Sequence, residues 1–119
     1  MYKILLVDDS KLIRATVKAM LVENGYEIIG EATNGKDAIK KYKELLPDLV
    51  LMDVIMPQEN GIEAARKIVS LDENAKVLLM STEVNAWRMN EAILAGAKEY
   101  VSKPIKKDEL LGKVRGILG

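Results

Sequence analysis

The sequence predicts an α/β protein in which helices cover both faces of a parallel sheet. Short apolar runs alternate with longer segments of helical period along all 119 residues. This alternation requires crossover connections, which are right-handed in nearly all known cases and place helices on both sides of a parallel sheet. Because the chain has no linker, repeat or low-complexity stretch, we expect one domain over residues 1–119.

Five strands are expected, because five short apolar runs are bounded by turn or charged residues. In chain order they are Lys3–Val7, Glu27–Ala32, Asp48–Met52, Lys76–Met80 and Glu99–Ser102. A helix is expected after each strand, since apolar residues recur there at helical spacing. These apolar positions are Ile13, Val17, Met20 and Leu21, then Ala38, Tyr42 and Leu45, then Ile62, Ala65, Ile68 and Val69, then Met89 and Ile93, and last Leu110, Leu111, Val114, Ile117 and Leu118.

Capping and terminating residues mark the helix boundaries. The residues near helix starts are Ser10, Asn34 and Asp108, and those near or beyond helix ends are Gly25, Pro47 and Gly96. Trp87 falls on the fourth helix, where we expect it to be partly exposed.

The polarity of the strands predicts their order. Unbroken apolar runs in the first, third and fourth strands are typical of strands buried on both faces. The second and fifth strands carry charged residues or glycine, as edge strands do. The order 2-1-3-4-5 follows, which is the flavodoxin-like (βα)5 doubly wound sheet. Ligands of such sheets bind beyond the carboxyl ends of the strands, near the switch point between the first and third strands.

The composition excludes several classes of function. The chain has no cysteine and no histidine, which removes disulfides, thiolate and imidazole metal sites and histidine acid–base chemistry. Eighteen basic residues balance eighteen acidic ones, so we expect neither nucleic-acid binding nor attraction to anionic lipid. No signal peptide or membrane span is visible, and we expect a cytoplasmic protein without membrane insertion.

Polar residues follow four of the five strands at the point where each strand ends. They are Asp8 and Asp9 after the first, Asp53 after the third, Ser81 and Thr82 after the fourth, and Lys103 after the fifth. In a parallel sheet all of these positions lie at one rim, so the carboxylates should converge near the switch point. Carboxylates at close range repel one another unless a hard cation and a lysine neutralise them. The sequence therefore predicts a Mg²⁺ site, which Mn²⁺ could also occupy.

Each of these residues also has an ordinary structural explanation. Asp9 or Ser10 could cap the first helix, and Asp53 could enter a turn. Ser81 or Thr82 could cap the fourth helix, and Lys103 could be an exposed charge. Taken together, these explanations would place acids, a hydroxyl and a lysine at one rim by coincidence.

The chemistry that this set supports is transfer of a phosphoryl group to a carboxylate. Asp53 is the candidate nucleophile, because aspartate forms acyl phosphates and this residue lies at the centre of the acids. Asp8 and Asp9 would hold the metal ion directly or through water. Lys103 and Ser81 would stabilise the charge that develops on the phosphoryl oxygens.

Five separated motifs resemble those of response-regulator receiver domains, in the same order and spacing. They are Asp8-Asp9-Ser10, Met52–Pro57 with Gly61, Met80-Ser81, Ala95-Gly96-Ala97 and Tyr100–Pro104. The resemblance covers essentially the whole chain. Residues 25–27 and 30–35 are most similar to those of the stand-alone chemotaxis regulators of the family.

The resemblance implies a role for each site residue. Asp9, Asp53 and the backbone carbonyl of Ile55 would ligate Mg²⁺, and Asp8 would act partly through water. Lys103 and Ser81 would hold the phosphoryl oxygens. Tyr100 matches the aromatic residue that turns inward on activation, when Ser81 moves toward the phosphoryl group. The Lys103–Pro104 bond is expected to be cis.

The resemblance also implies the partners. A sensor histidine kinase, such as a CheA-like kinase, would phosphorylate Asp53, and the surface of the fourth helix, fifth strand and fifth helix would then bind an output partner. That partner would be a flagellar motor switch protein or a phosphatase. The protein would be a monomeric signalling domain that assists its own phosphorylation and dephosphorylation, not an enzyme.

Three residues depart from the usual receiver pattern. Thr82, Ile55 and Ile105 stand where smaller, more polar or aromatic residues are common, which suggests a longer-lived acyl phosphate as a hypothesis.

Three other interpretations stay open. The chain could instead be the receiver part of a methylesterase or transcription factor. A metal-dependent aspartyl phosphatase would need a second acid at position 55. A flavin module would need hydroxyls and glycine after the first strand, where Asp8 and Asp9 stand.

Overall fold

The computed structural model describes residues 1–119 as five strands alternating with five helices. In chain order these are β1 Lys3–Val7, α1 Lys11–Glu23, β2 Glu27–Ala32, α2 Gly35–Leu45, β3 Leu49–Asp53, α3 Gly61–Leu71, β4 Val77–Ser81, α4 Ala86–Leu94, β5 Glu99–Ser102 and α5 Lys107–Leu118. All neighbouring strands pair in parallel, in the order β2-β1-β3-β4-β5. The predicted fold class and strand order are confirmed.

Two strands begin and end one residue later than predicted. The ladder between β3 and β4 continues to Asp53, which pairs with Met80, and the ladder between β4 and β5 continues to Ser81. Asp48, predicted to start β3, instead accepts a hydrogen bond on its carboxylate from the backbone N–H of Lys3 at 2.7 Å. Asp53 and Ser81 are therefore the last residues of their strands. Their positions are fixed by the sheet and not by a loop.

The side chains of the sheet alternate between two hydrophobic layers, which explains the unbroken apolar runs. On β1, Leu5 and Val7 pack into the layer formed with α2, α3 and α4. Ile4 and Leu6 pack into the opposite layer, formed with α1 and α5. All four side chains are fully buried. No helix of the chain combines the length and apolarity that crossing a bilayer requires.

Helix α4 has fewer buried residues than any other helix. Its only buried residue is Ala92. Trp87 and Ile93 are each 67% exposed, so the expected exposure of Trp87 is confirmed, whereas Ile93 does not face the core as its helical spacing suggested. The helix packs through a small side chain, and its larger apolar residues stay at the surface.

Helix α5 contains two glycines at positions that do not need them. A Cβ atom built on Gly112 or Gly116 meets nothing within 4 Å. Alanine costs less conformational entropy than glycine in a helix interior, so each glycine-to-alanine substitution should raise the free energy of unfolding by about 0.5–1 kcal/mol. Urea denaturation of Gly112→Ala, Gly116→Ala and the double variant measures this gain. A neutral or lowered stability would show that α5 uses these glycines for a contact.

Candidate functional site

Three acidic side chains converge at the carboxyl ends of β1 and β3. These strands are neighbours, with Val7 paired to Met52, so Asp8 and Asp9 after β1 lie beside Asp53 at the end of β3. One carboxylate oxygen from each of the three lies within 4.8 Å of the other two. Asp8 is fully buried and Asp53 is 5% exposed, while Asp9 is exposed. The predicted cluster is present at the predicted rim.

Asp8 is held rigidly by four hydrogen bonds. Its backbone N–H donates to the carbonyl of Ala32 at 3.0 Å, and its own carbonyl accepts from Nη1 of Arg14 at 2.7 Å. Its Oδ1 accepts from the backbone N–H of Ser10 at 2.9 Å, and its Oδ2 accepts from Nζ of Lys103 at 2.7 Å. Ser10 in turn caps α1, as its position predicted. Both carboxylate oxygens of Asp8 are therefore already engaged within the protein.

Lys103, which follows the edge strand β5, reaches both buried acids. Its Nζ lies 2.7 Å from Oδ2 of Asp8 and 3.2 Å from Oδ2 of Asp53, and its side chain is 13% exposed. The backbone N–H of Lys103 donates to the carbonyl of Ser81 at 2.9 Å, and the Lys103–Pro104 bond is cis. Lys103 is thus a largely shielded ion-pair partner and not an exposed charge on a turn.

The charges of the three acids and Lys103 do not cancel. Burial raises the pKa of Asp53 and the negative charge of Asp8 raises it further, while Lys103 acts in the opposite direction. Burial alone would lower the pKa of Lys103, but its hydrogen bond to Asp8 and the charges of both acids outweigh burial, so this pKa is raised. When Asp8, Asp9 and Asp53 are ionised, one ammonium leaves two negative charges at the rim. A divalent cation with a preference for oxygen ligands, such as Mg²⁺ or Mn²⁺, fits this donor set.

The segment that follows β3 lies beside Asp53. Interaction with the backbone of Ile55 lowers the pKa of Asp53, against the effect of burial. The Ile55 side chain is 50% exposed, so an apolar group stands at the surface two residues beyond Asp53. Ligation of a metal by the Ile55 carbonyl stays a prediction.

Ser81 is fully buried at the end of β4, one residue beyond the partner of Asp53 in the ladder. Its Oγ accepts a hydrogen bond from the backbone N–H of Glu83 at 2.9 Å. The cap of α4 is Asn85, whose Oδ1 accepts from the backbone N–H of Arg88 at 2.8 Å. The alternative in which Ser81 or Thr82 caps this helix is therefore wrong.

Tyr100 points inward. Only 7% of the residue is exposed, and its hydroxyl donates to the carbonyl of Glu83 at 2.6 Å. Burial raises the pKa of this tyrosine. Ser81 and Tyr100 thus contact opposite groups of the same peptide backbone, the N–H and the carbonyl of Glu83.

Two residues of this site carry little signal in the sequence. Arg14 contacts both the carbonyl of Asp8 and, at 3.0 Å, the carboxylate of Glu31. Its position on the first helix, six residues after Asp8, was the only available sign of that role. Glu83 contributes through its backbone, which side-chain identity does not reveal.

Comparison with known proteins gives concordant results. The profile of the family described as "Response regulator receiver domain" matches residues 4–115. The chain is 44% identical to chemotaxis protein CheY of Thermotoga maritima, over 94% of this chain and 96% of that protein. It is 40% identical to chemotaxis protein CheY of Bacillus subtilis, over 98% of each chain.

A solved structure agrees with this likeness. The CheX–CheY–BeF3–Mg²⁺ complex from Borrelia burgdorferi matches with a TM-score of 0.96 at 28% identity, over 99% of this chain and 90% of that chain. The expected resemblance to stand-alone chemotaxis regulators is confirmed. With the acids, hydroxyl and lysine of that pattern in place on a β2-β1-β3-β4-β5 sheet, the chain belongs to the response-regulator receiver domains of two-component signalling.

Proposed function

We propose that Asp53 accepts a phosphoryl group from the phosphohistidine of a sensor histidine kinase in a Mg²⁺-dependent step. One observation carries the proposal. Asp53 is a nearly buried carboxylate that shares a site with Asp8 and Asp9 and lies 3.2 Å from the ammonium of Lys103. A nucleophilic acid beside a metal-ligating pair and a fixed cation is the arrangement that phosphoryl transfer to aspartate needs.

The transfer step balances without a further reactant. An oxygen of Asp53 forms a bond to phosphorus, the bond between phosphorus and the histidine nitrogen breaks, and the imidazole keeps the electron pair and takes up a proton. Lys103 and the hydroxyl of Ser81 stabilise the charge on the transferred oxygens. Asp9, Asp53 and the carbonyl of Ile55 would hold Mg²⁺, with Asp8 partly through water; the ion supplies further neutralisation of the phosphoryl charge.

The shape of the rim supports a phosphoryl donor carried by another protein. The surface grooves of the molecule, of about 250–410 Å³, lie elsewhere, and none is lined by the acids. A small organic substrate would be bound in a pocket that covers most of its surface. Position 55 is isoleucine, where an aspartyl phosphatase would need a second acid. An open rim suits a histidine presented by a kinase.

The contacts at Glu83 support a switch that starts at Ser81. Because Ser81 Oγ accepts from the N–H of Glu83, its own proton is available for a phosphoryl oxygen. Movement of Ser81 toward that oxygen would displace the same residue whose carbonyl accepts from Tyr100. Phosphorylation would thereby shift the population of conformations at the surface of α4, β5 and α5, where an output partner binds.

The likeness to CheY proteins supports a place in chemotaxis. A CheA-like kinase would then be the donor, and a flagellar motor switch protein or a phosphatase would be the output partner. The Borrelia burgdorferi relative was solved in complex with CheX, BeF3 and Mg²⁺, which favours metal and partner binding in this chain as well. Within this proposal, residues 1–119 act as one monomeric, cytoplasmic receiver.

The proposal is tested by intact-mass spectrometry after incubation with acetyl phosphate and Mg²⁺. A single phosphoryl adduct is expected, and it should be lost completely in Asp53→Asn and when EDTA replaces the metal. Asp108→Asn, which changes an exposed acid at the start of α5, is the matched control and should form the adduct normally. An adduct that persists in Asp53→Asn, or no adduct on folded protein that binds Mg²⁺, would contradict the proposal.

A further inference from the structure

Glu83 is held from three sides in the turn between β4 and α4, which spans residues 82–85. Its N–H donates to Oγ of Ser81 at 2.9 Å, and its carbonyl accepts from the hydroxyl of Tyr100 at 2.6 Å. Its carboxylate accepts from Nε of Arg88 at 3.0 Å. The first two contacts lead to the residues proposed above as the switch, and the third leads into α4.

Arg88 connects this turn to the surface of α4. A second nitrogen of the same guanidinium, Nη1, donates to Oε1 of Glu91 at 2.8 Å, one turn further along the helix. Its Cζ lies 5.2 Å from the centre of the Trp87 ring, within the range of a cation–π contact. One planar group therefore touches the turn, the helix and the exposed aromatic at the same time, which a lysine could not do with a single ammonium.

The weak packing of α4 makes this link important. Ala92 is the only buried residue of the helix, so few apolar contacts fix its first turn. The side chain of Arg88 is 21% exposed, less than those of Glu83 and Glu91 at 40% and 33%. A partly shielded guanidinium with two carboxylates is screened less by salt than an isolated surface pair.

We infer that Arg88 is a positioning residue that transmits the state of the turn at Glu83 to Trp87 and to the exposed face of α4. The inference rests on the proposed function, because it names the connection between the phosphorylated rim and the output surface. When the turn shifts, the carboxylate of Glu83 moves with its backbone, the guanidinium follows its hydrogen-bond partner, and the stacking on Trp87 changes. The orientation of the aromatic that a partner meets is then set by the phosphorylation state.

Trp87 provides the measurement, since it is the only tryptophan in the chain. Its fluorescence is recorded before and after acetyl phosphate and Mg²⁺, and the phosphoryl adduct is quantified by intact mass in the same samples. The variants are Arg88→Gln and Glu83→Gln, with Arg66→Gln as control, because Arg66 forms a similar ion pair with Glu63 on α3, away from this turn. Per phosphorylated molecule, the fluorescence change should fall at least about threefold in both test variants and stay unchanged in the control.

Glu83→Gln separates transmission from a local effect on the indole. That variant keeps the Arg88 guanidinium and its partner Glu91, so a lost response cannot come from removing the cation next to the ring. Adduct formation with a response in both test variants that equals that of the unsubstituted protein would overturn the inference. Adduct formation with no fluorescence change in the unsubstituted protein would overturn it too.

If no adduct forms, that result counts against the proposed function. The role of Arg88 is then tested by a second measurement that does not need phosphorylation. Hydrogen exchange of the Glu83 amide, which donates to Ser81, reports directly on the turn without phosphorylation. Exchange should be at least about threefold faster in Arg88→Gln than in Arg66→Gln, since loss of the ion pair loosens the turn. Equal exchange rates would show that Arg88 does not position this segment.

Discussion

Substitution of Lys103 by glutamine is expected to slow phosphorylation by acetyl phosphate by about 100-fold or more. Removal of one fixed group that stabilises developing charge typically costs that much. Lys103 is the only cation within 4 Å of Asp53, at 3.2 Å, and its side chain is largely shielded from water. The rate is measured from adduct formation by intact mass at fixed Mg²⁺, where a loss of less than tenfold would exclude Lys103 from the transfer step.

The same substitution is expected to lower the stability of the metal-free protein, because it leaves Asp8 and Asp53 buried together without their cation. Breaking a buried ion pair from one side costs about 3 kcal/mol. Burial and Asp8 already raise the pKa of Asp53, and loss of Lys103 removes the charge that opposes them. The folded protein then binds a proton more tightly than the unfolded chain. Stability is therefore regained as the pH falls through the raised pKa of Asp53 toward its unfolded value and is lost as the pH rises.

Urea denaturation at pH 5 and pH 7.5, with and without Mg²⁺, measures this dependence. The deficit of Lys103→Gln should be smaller at pH 5, and Mg²⁺ should reduce it at pH 7.5 because the ion neutralises the same carboxylates. Lys107→Gln is the matched control, since Lys107 is an exposed residue whose ammonium lies 3.5 Å from Glu23. A deficit that does not change with pH or metal would mean that Lys103 stabilises the fold by packing and not by charge.

The fold was predictable from the sequence because the positions of apolar residues indicate which side chains are buried. Short apolar runs mark the strands, and apolar residues at helical spacing mark the helices. Ile4–Val7 shows no polar residue because its alternate side chains enter two different hydrophobic layers. The hydrophobic pattern predicted that β3 and β4 end one residue too early. Asp53 and Ser81 are polar and look like loop residues, yet they complete the ladders and are nearly inaccessible to water. Polar residues that are buried at the end of a strand do not follow the hydrophobic pattern.

The acids and the lysine were predictable for a topological reason. In a parallel sheet the residues after each strand share one rim, so Asp8, Asp53 and Lys103 could be brought together without any knowledge of distances. The connection through Glu83 and Arg88 could not be predicted in this way. Besides the ion pair between Glu83 and Arg88, it depends on a backbone carbonyl and on the path of a short turn, and the last two are not encoded in the identity of a side chain.

Alanine in place of Gly61 is expected to destabilise the protein by roughly 3 kcal/mol, at the upper end of the usual cost of overpacking. A Cβ atom on Gly61 would lie 2.1 Å from the carbonyl oxygen of Asp53 and 3.0 Å from the Cα of Val54. Both are backbone atoms. The N–H of Gly61 donates to the carbonyl of Val54 at 2.8 Å, so the backbone at Gly61 and the backbone at residues 53–54 cannot move apart without breaking that bond. Urea denaturation measures the loss.

The displaced backbone is the one that carries Asp53, so Gly61→Ala should also weaken Mg²⁺ binding, measured by metal titration at a temperature where the variant is folded. Gly112→Ala is the matched control, because it adds the same methyl group to a helical glycine with open space around it and should stabilise the chain. A Gly61→Ala variant of normal stability and metal affinity would contradict the close approach. The same glycine-to-alanine change is predicted to lower the free energy of unfolding at position 61 and to raise it at position 112. The difference between the two values isolates the contact with Asp53 from the general preference of helices for alanine.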